Sequence, residues 1–167
     1  MEIKNKVAES GIITIDLLDY KPKTNLLCVD LKEQLWEELV LKEKEFRNWV
    51  KNHNWEQYKN QFVAVFSSAD AIIPQWAYML VASELQNQTK QFFFDIPEKV
   101  EIQLWINNLK SHNMNDYKDK RIVVKGCGEE TVPYQIYAEF TRLAQPYVLS
   151  IMFGEPCSTV PVYKKPK

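Results

Sequence analysis

From Gln61 onward the chain alternates between short apolar runs and stretches of helical periodicity, and this alternation constrains the fold more than any other feature. Phe62 to Phe66 is a continuous apolar run, as expected of a central strand buried on both faces. It ends in Ser67-Ser68-Ala69-Asp70. A helix is expected next, with Pro74 near its first turn, where the missing N–H costs nothing. It runs on through Trp76, Ala77, Leu80, Val81 and Glu84. Residues 91–94 read as a second strand. Pro97 opens a helix whose Ile102, Trp105, Ile106 and Leu109 form an apolar stripe. Residues 121–125 predict a third strand, and Pro133 a helix with Ile136, Tyr137, Phe140 and Leu143 inward. Residues 147–153 predict a fourth strand. Such alternation implies right-handed crossovers and parallel pairing. The expected fold class is therefore α/β: three layers, with one largely parallel central sheet and helices on both faces.

The first third reads differently. Residues 12–17 are β-branched and apolar, Tyr20-Lys21-Pro22-Lys23-Thr24-Asn25 has turn character, and residues 26–31 suggest a second strand, which together predict a small β-hairpin. Leu31, Leu35, Trp36 and Leu39 fall at helical spacing. A helix over 42–51 places Phe46, Trp49 and Val50 on one face, and Asn52-His53-Asn54-Trp55 breaks it. The organisation expected is one domain over 1–167, with an N-terminal strand and helix part over 1–60 and an alternating core over 61–167. Neither an internal repeat nor a low-complexity segment is expected.

Hydrophobic residues make up 46% of the chain and aromatics 13%, enough for a packed interior and against disorder. The 21 basic and 22 acidic residues leave a formal charge of -1. That balance supplies no general attraction to nucleic acid or to an anionic membrane, so neither is expected as a partner. The basic stretch Lys164-Lys165-Pro166-Lys167 is read as a solvated terminus. With no secretion signal and no apolar run of membrane-spanning length, a cytoplasmic location is expected. Three cysteines, Cys28, Cys127 and Cys157, argue against a disulfide framework.

If the strands are parallel, three strand-end loops open on one edge, the edge where ligands bind in such sheets. They carry Ser67, Ser68 and Asp70; Cys127; and Cys157, Ser158 and Thr159. In Gly126-Cys127-Gly128 the two glycines allow a tight turn that exposes backbone N–H groups near a helix start. Such a loop suits an anion or a thiol of lowered pKa. It is neither a dinucleotide fingerprint, since Thr131 holds the third glycine position, nor a P-loop. A buried, inert cysteine in a glycine-lined turn fits it equally well. In Gly154-Glu155-Pro156-Cys157-Ser158-Thr159-Val160-Pro161 two prolines stiffen a loop rich in ligands and nucleophiles. The bland alternative is a turn feeding an extended segment over 160–164.

Cys127 and Cys157 together suggest a two-thiolate site for zinc or iron. Structural zinc takes four ligands and the chain has no Cys-x-x-Cys. Asp70, Glu155, a histidine, water or a second subunit would have to complete the set. His53 and His112 lack a histidine partner at helical spacing and read as polar loop residues. Ser67 and Ser68 lack the glycines of a nucleophile elbow, and Asp70 reads as readily as a helix N-cap. The tryptophans lie mostly on helical stripes, and Phe92-Phe93-Phe94 reads as buried strand rather than a base-stacking platform.

The stretches Ser68-Ala69-Asp70-Ala71-Ile72-Ile73-Pro74-Gln75-Trp76-Ala77-Tyr78-Met79, Val124-Lys125-Gly126-Cys127-Gly128 and Met152-Phe153-Gly154-Glu155-Pro156-Cys157-Ser158-Thr159-Val160-Pro161 resemble a bacterial domain-of-unknown-function family, number 2480. Val7-Ala8-Glu9-Ser10-Gly11 and the segment from Phe46-Arg47 to Trp55 are similar to it too. The family transfers no catalytic role. The resemblance implies an accessory part in sulfur or iron–sulfur cluster handling, beside iron–sulfur assembly proteins, with Cys127 and Cys157 as the natural thiolate carriers.

Three readings stay open. One is a thiol- or metal-binding accessory factor that uses Cys127 and Cys157, with Gly126, Gly128, Gly154, Glu155, Ser158 and Thr159 as supporting loop residues. Another is a non-catalytic interaction or scaffold protein, such as a homodimer. The last is a small-molecule enzyme with Asp70, Cys127 and Ser158 in one cleft.

Overall fold

The structure, a computed structural model, describes residues 11–126, 128, 130–155 and 158–166. Its elements are β1 (Ile12–Ile15), β2 (Leu26–Asp30), α1 (Glu43–Asn52), β3 (Phe62–Phe66), α2 (Gln75–Leu85), β4 (Phe92–Phe93), α3 (Pro97–Ser111), β5 (Arg121–Val124), α4 (Tyr134–Ala144), β6 (Ser150–Glu155) and β7 (Ser158–Lys164). Single 3-10 turns lie at Leu17–Tyr20, Leu31–Gln34, Trp55–Tyr58 and Met114–Tyr117. The chain is α/β, as the alternation predicts.

The strands form two sheets, ordered β1-β5-β6-β7 and β2-β3-β4, and not one central sheet. Every pairing is parallel except the β6–β7 hairpin. The expected hairpin between residues 12–17 and 26–31 is a correction. β1 runs parallel to β5, with Ile12 opposite Arg121, and β2 runs parallel to β3, with Leu26 opposite Phe62. The reason is local. Asp16 ends β1 by capping the 3-10 turn Leu17–Tyr20, its carboxylate accepting the Leu18 N–H at 3.0 Å. A tight hairpin loop has no room for that turn. The helical spacing over Leu31–Leu39 also fails: Glu37 and Glu38 adopt φ of 50° and 58°, which stops a helix, and Trp36 bridges to Val40.

The chain divides into two compact units. Unit A is Lys23–Glu101; unit B is Met1–Pro22 together with Ile102–Lys167. Each is built on the same plan, and this overturns the expectation of no internal repeat. Residues 59 apart correspond without a gap: His53 with His112, Asn54 with Asn113, Tyr58 with Tyr117, Pro74 with Pro133, Tyr78 with Tyr137, Phe94 with Phe153. At that offset α1 matches the part of α3 after Glu101, β3 matches β5 and α2 matches α4. The first strands correspond at an offset of 14, Asp30 capping its 3-10 turn as Asp16 does.

Small details repeat as well. Asn60 and Asp119 both hold φ of 57°, and their N–H groups donate to the Gln88 and Tyr147 carbonyls at 3.1 and 2.9 Å. His53 stacks on Tyr58 with 20° between the rings, and His112 on Tyr117 with 27°. The repeat escapes a reading of composition because most matched positions share only size and polarity. Burial requires no more than that.

Each unit packs its helices on one face of its own sheet. In unit B, Ile15, Ile122, Val124 and Ile151 join Trp105, Leu109, Ile136, Phe140 and Ala144 in one core. Ile122 and Val124 are two apart and so share a face. In unit A, Val29, Val63 and Val65 meet Phe46, Val50, Ala77, Val81 and Leu85 in the same way. Burying such side chains stabilises by about 1.5–3 kcal/mol each. Ala64 and Val123, between those positions on the central strands, are also fully buried, which accounts for the unbroken apolar runs.

Candidate functional site

In unit B the carboxyl ends of β1, β5 and β6 open onto a cleft of about 430 Å³. Asp16, Lys125, Gly126, Gly128, Glu130, Thr131, Tyr137 and Phe153 line it. A parallel sheet leaves its strand ends at one edge, so these residues meet although they lie far apart in sequence.

One carboxylate organises the polar wall. While one oxygen of Asp16 caps the Leu17–Tyr20 turn, the other accepts from Lys125 Nζ at 3.0 Å. The Lys125 hydrogen bond, with help from the Leu18 N–H, holds the Asp16 carboxyl below its ordinary range against the opposing effect of burial. Asp16 in turn raises the Lys125 pKa, with smaller contributions from Glu155 and Asp19. Lys125 is therefore a fixed cation at neutral pH and not an amine nucleophile. Across the cleft Glu130 forms an ion pair with Lys21.

The other wall is aromatic. Tyr137 and Phe153 meet edge to face, centroids 5.6 Å apart at 75°. Gly126 makes this possible, since a Cβ there would stand 2.6 Å from the Phe153 ring. Gly154 is required for another reason: its φ is +121° and a Cβ would lie 2.5 Å from the Ser158 carbonyl oxygen in the β6–β7 hairpin. On the far side of the ring pair is a second recess of about 510 Å³, lined by Val124, Tyr137, Ala138, Thr141, Ile151, Met152, Phe153 and Val162.

Unit A contains the same corner without the lysine–aspartate pair. Tyr78 and Phe94 meet at 5.7 Å and 87° beside a cavity of about 370 Å³. Phe66 stands at the position of Lys125, and Ser67 at that of Gly126. Asp30, the counterpart of Asp16, accepts from the Ser68 hydroxyl at 2.6 Å and from the Ser68 and Lys32 N–H groups at 3.0 Å. Burial pushes the Asp30 carboxyl up, and these donors outweigh it to leave it low. What is an ion pair in unit B is a serine-satisfied cap in unit A.

The expected convergence of three loops on one sheet is corrected. Asp70 is exposed and follows β3 in unit A, whereas the loops after β5 and β6 belong to the other sheet. Asp70 is not a helix cap either, because α2 starts after Pro74 with no side-chain cap. Cys127 and Cys157 lie outside the described residues. The described neighbours of Cys127, Gly126 and Gly128, line the cleft. On the adjacent strand Glu155 pairs with Ser158 across the hairpin, and Thr159 Oγ1 donates to Met152 Sδ at 3.7 Å. Cys28 is exposed in unit A, its thiol pushed up chiefly by desolvation. Among the described residues no three His, Cys, Asp or Glu side chains group as a metal site. Neither do they include a helix long and apolar enough to cross a membrane.

Asp16, Lys125, Glu130, Tyr137 and Phe153 were not expected at a site. The signal for them is the comparison of the repeats, where Phe66 to Lys125 and Ser67 to Gly126 are the changes that open and charge one copy.

A family described as a protein of unknown function (DUF2480) matches residues 1–165. No curated protein and no solved structure matches the chain.

Proposed function

Because the chain belongs to that family of unknown function, from which no activity transfers, we propose from the site itself that the protein binds a small molecule carrying both an acidic and a basic group in the unit B cleft. The observation that supports this most is the contrast between the repeats. The same scaffold carries Phe66, Ser67, Ala69 and Ala71 in unit A, and Lys125, Gly126, Gly128 and Glu130 in unit B. A cleft lined by one cation and two carboxylates suits a zwitterion, whose acidic group faces Lys125 while its basic group faces Asp16 or Glu130. A volume of about 430 Å³ suits a small metabolite. The protonated state of Lys125 favours binding over covalent chemistry on its amine.

Thermal unfolding with glycine, alanine and β-alanine, against acetate and methylamine as single-charge controls, tests the proposal. The zwitterions are expected to raise the melting temperature by a few degrees at ten times Kd. Lys125→Met is expected to remove that shift. An equal response to acetate, or none to any zwitterion, overturns the reading.

A second reading keeps Cys127 and Cys157 as a thiol or metal site, holding zinc or iron and serving iron–sulfur assembly proteins. It is supported by the glycines beside Cys127 lining the cleft and by the β6–β7 hairpin, which brackets Cys157, on the adjacent strand. Protein purified without oxygen is expected to carry zinc, iron or transferable sulfur, and Cys127→Ser with Cys157→Ser to lose it. Absence of all three overturns this reading.

A further inference from the structure

We propose that the ligand of the cleft is an α-amino acid with an unbranched apolar side chain, whose charged end sits by Lys125 and whose side chain lies in the adjoining recess. This rests on the zwitterion reading and adds the class of side chain.

Two cavities of opposite character share one wall. Tyr137 and Phe153 line both the charged cleft and the recess, and they belong to α4 and β6, the two elements that also supply Ala138, Thr141 and Ile151 to the recess. Apart from the Tyr137 and Thr141 hydroxyls its lining side chains are apolar. A ligand confined to the cleft would leave that apolar surface in water, while one with a tail would cover it. The Phe153 ring is held over Gly126 by a missing Cβ and is 38% exposed, so a chain passing it need not displace a packed core residue.

Unit A supports the pairing by contrast. Its Tyr78–Phe94 corner borders a smaller cavity, with Phe66 where Lys125 would anchor a charge. The larger recess and the charged anchor occur together in one repeat, while the other has a smaller cavity and no lysine.

The test is calorimetric titration of the full chain with alanine, norvaline, norleucine and 2-aminooctanoate. Each added methylene is expected to tighten binding about fourfold, equivalent to about 0.8 kcal/mol, until the recess is full. Ala138→Phe is expected to abolish the dependence on chain length while alanine still binds. Ala138→Leu, a milder filler on the same exposed helical position, is expected to blunt it and guards against a folding defect. Lys125→Met is expected to weaken the whole series. A flat series with alanine binding intact overturns this inference and leaves the zwitterion reading standing. Binding by no member overturns both. A flat series accompanied by dimerisation that Ala138→Phe disrupts overturns it in favour of a second copy covering the recess.

Discussion

Asn60 and Asp119 hold the same position of a duplicated turn: each has φ of 57°, and each donates its N–H to a carbonyl just ahead of the third strand of its own unit. Asn and Asp tolerate this left-handed geometry better than residues with larger or branched side chains. Replacing either by alanine is expected to cost about 1 kcal/mol in urea unfolding. The two losses should agree to within a few tenths of a kcal/mol, because the turns are equivalent. A cost at one site and none at the other would break the equivalence.

Gly126 and Phe153 are expected to be coupled. Gly126→Ala places a methyl group 2.6 Å from the Phe153 ring and should destabilise by about 1–3 kcal/mol. In a Phe153→Leu background the same change should cost much less. A double-mutant cycle is expected to show an interaction of about 1–2 kcal/mol. Additive costs would mean that the close approach is relieved by other means.

The Asp16–Lys125 pair sets a pH window. The Asp16 pKa is lowered in the fold, so its contribution is present above the ordinary value of about 3.9 and is lost as pH falls through the lower folded value. Lys125 is raised, so its contribution is present below about 10.4 and is lost as pH rises through the higher folded value. Asparagine keeps the cap but not the charge. The stability difference between wild type and Asp16→Asn is therefore expected to be constant from about pH 5 to about pH 9 and to close below about pH 4. A difference that does not shrink as pH falls below about 4 would assign the effect to something other than the charge of the pair.

The α/β class, the apolar stripes on α1, α3 and α4, and β3 were legible because each rests on local periodicity. β1 and β2 were not. Their partners are fixed by burial against Val63–Val65 and Ile122–Val124, far along the chain, and local pattern carries no record of that. The site was legible only in part. Gly126 and Gly128 drew attention through the scarcity of glycine, and both line the cleft. Asp16 and Lys125 drew no attention, since nothing local marks two residues 109 positions apart as partners. Asp70 drew attention for its place after a strand, which was correct, but in the other unit.

The order of these segments also bears on synthesis. Unit A is one uninterrupted stretch, while unit B needs β1 from the start of the chain and β5 from near its end. As the chain leaves the ribosome, unit A can close while β1 is still waiting for its neighbour. The Asp16 carboxylate stays without Lys125 until the 108 residues between them have been made. The unit B cleft is thus assembled after the whole of unit A has emerged, and a fragment that ends before β5 would carry unit A without the Asp16–Lys125 pair.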